Sequence, residues 1–364
     1  MKIECVKDVL EKAVYKADKI TGKNLNLPVL SCILFSVKNK KLYIKSTNLD
    51  LGIEIFVPAK IEIEGDIAIP SGVLNSYLAG ISSRTVILES KDGVILISSD
   101  NGKTSIKSMS SEDFPIIPKL SHDVEFDINS KDFSVGLKSV WYSASPSSIK
   151  PELSSVYVYQ SSGKLVFVAT DSFRLAEKQI PFTQKSDFPP VLIPFKNIPE
   201  IIRVLEGEGM VKMIFTKNQI AFVGDTIYLT SRVVEGSFPD YKRIIPKESV
   251  AEAVVLKEDI ISVLHTLTIF TDKFNQIYFS LNPKEKFFEL KARNADLGES
   301  VERMPAALSG EKLDIGLNYR YIADAFQSIN SDSISLFFGG VQKPLVIKGV
   351  SDNTFLYIVM PMNR

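Results

Sequence analysis

The chain repeats itself three times at a nearly constant step, and this repeat constrains the fold more than any other feature of the sequence. The segments that align are STNLDLGIEI at 46–55, ATDSFRLAEK at 169–178 and RNADLGESVE at 293–302. Asn48, Asp171 and Asn294 hold the same place in them, 123 residues apart in each case. A repeat of this kind indicates tandem copies of one structural unit.

Other landmarks keep the same step. Pro28 opens PVLSCILF and Pro151 opens PELSSVYV, 123 residues later. The pairs that recur 124 residues apart are Ile69-Pro70 with Ile193-Pro194, and Phe114-Pro115 with Phe238-Pro239. The sequence therefore predicts three domains of about 121 residues, over 1–121, 122–246 and 247–364.

Each copy has the same predicted order of helices and strands. In the first copy, apolar residues at 9, 10, 13, 14, 17 and 20 share one face of a helix over 6–20. Strands follow over 29–37, 41–47 and 52–57, then a second helix over 71–79 with Ser71 as its N-cap, then strands over 84–90, 93–99 and 103–109. The helices predicted in the other copies are 130–144, 196–206, 257–270 and 318–329. Because the links between strands are too short for parallel crossovers, we expect an α+β protein with two helices and antiparallel sheets per copy.

The composition is that of a folded protein without a membrane segment. Hydrophobic residues make up 45% and charged residues 24% of the chain, and no apolar run reaches the length of a membrane span. The N-terminal stretch MKIECVKDVLEKA is charged throughout and does not read as a signal peptide. Cys5 and Cys32 lie in apolar surroundings, so a disulfide is not expected and the cytoplasm is the expected compartment. The net charge is zero, so any contact with DNA must place positive charge locally.

Residues that could carry catalysis do not converge in the sequence. His122 and His265 are the two histidines, one in a predicted linker and one on a predicted helix. No glycine-rich loop has P-loop spacing, and neither HExxH nor GxSxG occurs. Asp171 could act as a base, but turn chemistry explains an Asp where the other copies have Asn48 and Asn294. We therefore expect no enzyme activity, no cofactor and no metal site.

Two features could bind a partner. Lys12, Lys16, Lys19 and Lys23 recur at spacings of 4, 3 and 4 on the first helix, which puts them on one face. A solvated helix face would have the same pattern.

The second feature combines VATDSFRLA at 168–176 with the C-terminal FLYIVMPMNR. Phe173 and Arg174 follow a turn, where an aromatic beside a cation indicates either a recognition site or ordinary core packing. Met362 follows Pro361 and is not expected to continue the strand. Methionines at a surface groove make an adaptable binding site.

These residues resemble the bacterial replicative sliding clamps, the beta subunits of DNA polymerase III. The resemblance covers the whole chain, through its length, its threefold repeat, ATDSFRL at 169–175, SFPDYKRIIP at 237–246 and YIVMPM at 357–362. It implies three tandem DNA-clamp domains that form a head-to-tail homodimeric ring, with helices lining the hole and sheets at the rim. Duplex DNA would pass through the hole without sequence-specific contacts, which agrees with a net charge of zero.

The resemblance also implies a pocket for peptide tails of the replicative polymerase, the clamp loader and other proteins with clamp-binding motifs. The residues it implies are Leu153, Thr170, Ser172, Phe173, Arg174, Leu175, Pro239, Arg243, Ile244, Phe274, Asn318, Tyr321, Val359, Met360, Pro361 and Met362. The DNA-facing residues would be Lys12, Lys16, Lys19, Lys23, Lys138, Lys150, Lys196 and Arg203. Ring closure would use the strand 103–109 with Ile106 and the region 267–273 with Ile269.

Two other interpretations stay open at this point. A β-rich scaffold of tandem domains could use the same groove for peptides without encircling DNA. An enzyme could use Asp171 as an acid and Arg174 as a substrate anchor, although the repeat argues against it.

Overall fold

The computed structural model describes residues 1–121, 124–184 and 187–362. The chain divides into two compact units, the first of Met1–Ser134 with Lys196–Val233 and the second of Val135–Phe195 with Val234–Arg364. The middle copy of the repeat is thus shared between the two units.

The described residues form six α-helices and 26 strands. The helices are α1 (Lys7–Asp18), α2 (Ser71–Gly80), α3 (Ser130–Val140), α4 (Ile198–Leu205), α5 (Lys257–Leu267) and α6 (Tyr319–Ala325). The strands of the first copy are β1 (Lys2–Val6), β2 (Cys32–Lys38), β3 (Lys41–Thr47), β4 (Leu51–Val57), β5 (Ala59–Ile63), β6 (Gly65–Pro70), β7 (Thr85–Lys91), β8 (Val94–Ser99) and β9 (Gly102–Lys107). Those of the second are β10 (Val124–Asn129), β11 (Ser155–Ser161), β12 (Lys164–Thr170), β13 (Arg174–Pro181), β14 (Val191–Pro194), β15 (Met210–Phe215), β16 (Gln219–Val223) and β17 (Ile227–Arg232). Those of the third are β18 (Ala251–Leu256), β19 (Gln276–Asn282), β20 (Phe287–Asn294), β21 (Gly298–Arg303), β22 (Ala307–Gly310), β23 (Leu313–Asn318), β24 (Ser333–Phe338), β25 (Leu345–Gly349) and β26 (Phe355–Val359).

The first unit contains two antiparallel sheets. The order in the smaller is β5-β1-β7-β8-β9, and in the larger β10-β15-β16-β17-β4-β3-β2-β6. In the larger sheet β17 pairs with β4, so strands of two copies of the repeat form one continuous sheet.

The second unit repeats this plan. A nine-stranded sheet has the order β14-β11-β12-β13-β26-β25-β24-β18-β22, and a four-stranded sheet the order β21-β20-β19-β23. The pairing of β13 with β26 joins two copies and places Arg174 opposite Val359 and Leu175 opposite Ile358.

The helices pack on the sheets through the apolar faces that their sequences present. On α1 the buried residues include Leu10, Val14 and Ala17, which lie on one face at helical spacing. In α3, a Cβ at Gly136 would lie 2.4 Å from the ring of Phe167 on β12, so this close approach requires glycine.

The six helices lie where the sequence predicts them, and the differences are at their ends. Pro70 rather than Ser71 is the N-cap of α2, because Ser71 is already helical and no side chain caps this end. In the first copy the strands β1, β5 and β6 were not predicted.

The aligned residues of the repeat make the same turn in all three copies. The side-chain oxygen of Asn48 accepts hydrogen bonds from the amides of residues 50 and 51, that of Asp171 from 173 and 174, and that of Asn294 from 296 and 297. This local bonding confirms that turn chemistry accounts for Asp or Asn at this position. Leu49 and Ser172 both have a positive φ, at 76° and 77°.

Both cysteines are free and buried, as their apolar surroundings predict. Burial raises the pKa of the Cys5 thiol to about 12, so the reactive thiolate is scarce at neutral pH. Among the described residues, none of the helices combines the length and the apolar character that crossing a bilayer needs.

Candidate functional site

The candidate site begins at the turn before β13, in the second unit. The Thr170 hydroxyl donates to the carbonyl of Arg174 at 2.6 Å and accepts from the amide of Ser172 at 3.1 Å. The side chains of Thr170 and Asp171 therefore fix this turn through hydrogen bonds to its own backbone. The turn therefore presents Phe173 and Arg174 in a defined geometry.

Arg174 is held by three acceptors. Its Nε donates to Asp171 Oδ2 at 3.0 Å, one Nη to a carboxylate oxygen of Asp324, and the other to the carbonyl of Tyr142 at 2.7 Å. Its side chain is 13% exposed and its guanidinium carbon lies 4.7 Å from the ring centre of Tyr321. With its donors engaged inside the protein, Arg174 supports the site rather than offering a free cation.

An aromatic surface lies beside this ion-pair network. Phe173 is 60% exposed, and its ring lies nearly parallel to that of Tyr321 with 6.5 Å between the centres. Exposure on this scale rules out the interpretation of Phe173 as a core residue. Phe274 is also exposed, at 57%, and its carbonyl accepts a hydrogen bond from the side-chain amide of Asn318.

The end of the chain is bonded to this region on both sides of Pro361. The amide of Met360 donates to the carbonyl of Phe173 at 2.8 Å, and that of Met362 donates to the carbonyl of Gly316 at 2.9 Å. The chain leaves the nine-stranded sheet at Pro361 and bonds to β23 of the four-stranded sheet. Met360, Pro361 and Met362 are all half-buried, so their side chains are partly accessible.

Leu175 and Ile358 lie on the opposite face of the β13–β26 pair from Arg174. They pack in one buried cluster with Tyr241, against which Ile245 also packs. Near Tyr241 in the sequence, Pro239, Arg243 and Ile244 are exposed. Leu153 and Val359 are buried. This arrangement of apolar side chains and methionines is suited to binding.

Three residues of this site were not found from the sequence. Tyr142 and Asp324 hold Arg174 although they lie 32 and 150 residues from it in the chain, and Gly316 bonds Met362 through its backbone. No local pattern in the sequence identifies a side chain or a carbonyl that bonds a residue so far away along the chain.

Half of the residues predicted to face DNA are engaged within their own unit. Lys16 donates to Glu208 at 3.1 Å and to the carbonyl of Val204 at 2.9 Å. Three more cations pair with carboxylates: Lys19 with Asp18, Lys196 with Asp50, and Arg203 with Glu200. Lys12, Lys23, Lys138 and Lys150 are exposed, and so are Lys19 and Lys196 despite their ion pairs.

The two residues predicted for ring closure differ in exposure. Ile106 lies on β9, an edge strand of the five-stranded sheet, but its side chain is buried. Ile269 is 62% exposed in a short 3-10 helix over Thr268–Phe270.

No cluster of His, Cys, Asp and Glu in the described part of the chain could hold a metal ion. His265 is exposed on α5, and His122 lies outside the described residues.

Comparison with known families accounts for nearly the whole chain. Residues 1–118 match the N-terminal domain of the DNA polymerase III beta subunit, 127–240 the central domain and 242–363 the C-terminal domain. These three matches follow the order of the threefold repeat.

Related sequences and solved structures match this chain along its full length. The beta sliding clamps of Synechococcus elongatus and Bacillus subtilis are 25% and 23% identical, each match covering 100% of this chain and 99% of the relative. The crystal structure of the DNA polymerase III beta subunit of Thermotoga maritima superposes with a TM-score of 0.95 at 24% identity, covering 100% of this chain and 99% of the other. A sliding clamp of Pseudomonas aeruginosa bound to griselimycin has a TM-score of 0.93 at 20% identity, covering 100% of both chains. The chain therefore belongs to the DNA polymerase III beta subunit family and is a sliding clamp.

Proposed function

We propose that two copies of this chain close head to tail into a ring around duplex DNA and tether the replicative polymerase through a peptide pocket. The residues of the pocket are Leu153, Thr170, Ser172, Phe173, Arg174, Leu175, Pro239, Arg243, Ile244, Phe274, Asn318, Tyr321, Val359, Met360, Pro361 and Met362. The domains of the chain would be 1–121, 122–246 and 247–364, and the protein would act in the cytoplasm. The clamp loader and other proteins with clamp-binding motifs would use the same pocket, and no catalytic step would occur on the chain.

The observation that carries the pocket is the accessible aromatic and methionine surface on a rigid support. Phe173 lies exposed over Tyr321, Met360 is bonded to the Phe173 carbonyl, and Met362 is bonded to the Gly316 carbonyl on β23. Preformed apolar surfaces of this kind suit short peptides whose apolar side chains act as anchors.

The expected affinity follows from these anchors. Two or three apolar side chains contribute about 1.5–3 kcal/mol each on burial. Ordering a disordered tail costs about 2–5 kcal/mol of that gain. At the favourable end of these ranges the balance is about 7 kcal/mol, which corresponds to a Kd of roughly 10 μM. Exchangeable binding of this strength suits a platform that several partners share.

Charge placement is consistent with sliding. Lys12, Lys23, Lys138 and Lys150 are exposed, whereas the net charge of the chain is zero. A few exposed cations attract the phosphate backbone without the many tight contacts that give steep salt dependence. The proposed ring would therefore hold DNA by enclosing it.

Peptide titration tests the pocket. A labelled peptide from a polymerase tail, carrying a glutamine and a terminal apolar pair, is titrated with the protein and followed by fluorescence polarisation. We expect a roughly micromolar Kd, and at least tenfold weaker binding of a peptide in which serines replace the apolar pair. Equal affinity for both peptides, or no binding of either by folded protein, would contradict the proposed pocket.

A further inference from the structure

Two linkers in this chain cross the face of a sheet, and a glutamate at the same position of the repeat holds each of them. Glu54 on β4 and Glu177 on β13 are 123 residues apart, the step of the repeat. The first linker comprises 110–121 and the second 234–250. Each glutamate is bonded by a side chain of the linker that crosses its own sheet.

The first linker is held by Glu54 and Tyr228. The ammonium group of Lys119 donates to Glu54 at 2.8 Å and lies 3.7 Å from the ring centre of Tyr228. The Tyr228 hydroxyl donates to the carbonyl of Pro118 at 3.0 Å and accepts from the amide of Leu120 at 2.8 Å. These bonds attach the first linker at three successive residues.

The second linker is held by a buried network around Glu177. Glu177 is 8% exposed, and its carboxylate accepts hydrogen bonds from the hydroxyl of Tyr241 and from the side-chain amide of Gln179, the latter at 2.7 Å. The Tyr241 hydroxyl also lies 2.8 Å from that of Tyr159. Burial, together with the Glu177 carboxylate, raises the pKa of Tyr241, so the phenol keeps its proton and acts as a donor.

Tyr241 lies within the linker at a position where it can fix its neighbouring residues. It begins a 3-10 turn over Tyr241–Ile244, and its amide donates to the carbonyl of Pro239 at 2.7 Å. Arg243 is 85% exposed and pairs with Asp240 inside the same turn, which does not attach the turn to the sheet. The side chain of Tyr241 therefore attaches Pro239, Arg243 and Ile244 to β13.

We propose that Glu177 is a positioning residue for peptide binding, which acts through Tyr241 to fix the linker wall of the pocket. The proposal rests on the proposed function, because Pro239, Arg243 and Ile244 are the linker residues of that pocket. Leu175, two residues before Glu177 on the same face of β13, would form the floor against which this wall stands. A hydrogen bond to a buried carboxylate is directional and stronger than one between neutral groups, so it fixes the turn more firmly than apolar packing alone.

Three variants test the proposal. Tyr241→Phe removes one hydroxyl, Glu177→Leu removes the acceptor, and Glu177→Gln keeps an acceptor of the same shape. Tyr228→Phe is the matched control, because it deletes the tyrosine hydroxyl on β17 that bonds the first linker. The readouts are the Kd of the polymerase-tail peptide and the amide hydrogen exchange of 237–246.

We expect Tyr241→Phe and Glu177→Leu to raise the Kd of the peptide about fivefold and to speed amide hydrogen exchange in 237–246. The peptide Kd of Glu177→Gln should lie within about twofold of that of the unaltered protein, and the Kd of Tyr228→Phe should equal that of the unaltered protein. Unchanged peptide affinity in both Tyr241→Phe and Glu177→Leu, with thermal unfolding showing folded protein, would overturn the positioning role. If the unaltered protein binds no peptide, the proposed pocket fails instead, and the exchange rates still decide whether Glu177 holds the linker.

Discussion

Replacing Arg174 with alanine will lower the free energy of unfolding by about 3 kcal/mol and raise the Kd of the polymerase-tail peptide more than about tenfold. The change leaves Asp171, Asp324 and the Tyr142 carbonyl without their shared donor. Asp171 is 11% exposed, so its charge loses its partner in a largely dry environment. Because Asp324 is 41% exposed, water compensates part of the loss and keeps it near the lower end of the range for buried pairs.

Urea unfolding and fluorescence polarisation measure the two effects of Arg174→Ala. Arg203→Ala is the control, since Arg203 pairs with Glu200 within one turn of α4 and should contribute about 1 kcal/mol or less. Arg174→Lys should not restore binding, because one ammonium group cannot reproduce the planar arrangement of donors. A loss in Arg174→Ala no larger than that in Arg203→Ala would show that Arg174 does not support the site.

The second large effect is expected from the side chains that would touch the peptide. Phe173→Ala and Met362→Ala should each raise the Kd about tenfold. Phe173 is exposed over Tyr321, so its ring is free to be covered by a ligand. In Met362→Ala the backbone bond to Gly316 stays, so the change removes the thioether while the end of the chain remains in place.

Stability separates this prediction from the first. Phe173→Ala should change the free energy of unfolding by less than about 1 kcal/mol, because the ring is mostly exposed. Tyr15→Ala, which removes a half-exposed aromatic on α1 in the first unit, should leave the peptide Kd unchanged. Peptide affinity unaffected by both Phe173→Ala and Met362→Ala would place the binding surface elsewhere.

The order of elements could be predicted from the sequence because the repeat and the periodicity agree. The three aligned turn residues make the same local hydrogen bonds, and each of the six helices buries apolar residues. The strand β1 escaped prediction because it runs directly into α1 at Val6 without a glycine, a proline or a polar turn to mark the change. An alternation of five residues is too short to be told from the start of a helix.

The site could be predicted only as far as local sequence and family resemblance reach. Phe173 stands out in the sequence because an aromatic residue follows a turn, and Met360 and Met362 stand out because they flank a proline. Glu177 and Asp324 do not stand out, because the residues they bond, Tyr241 and Arg174, lie 64 and 150 residues away in the chain.

The lysine row on α1 shows the same limit. Its spacing predicts one face, yet Lys16 is bonded to Glu208 and to the Val204 carbonyl, 192 and 188 residues away. Helical periodicity places side chains on a face but does not reveal acceptors contributed by another element. Lys12 and Lys23, by contrast, are exposed as a solvated or DNA-facing row requires.

Retention on circular DNA tests the central claim, that the chain closes into a ring around the duplex. The protein is loaded by its cognate clamp loader onto a nicked circular plasmid and separated from free protein by gel filtration, before and after the plasmid is cut once. A closed ring predicts that the protein elutes with the circular DNA and is lost from it after linearisation. Equal retention on circular and linear DNA, or no retention on the circle, would contradict enclosure and favour a peptide-binding scaffold that does not encircle DNA.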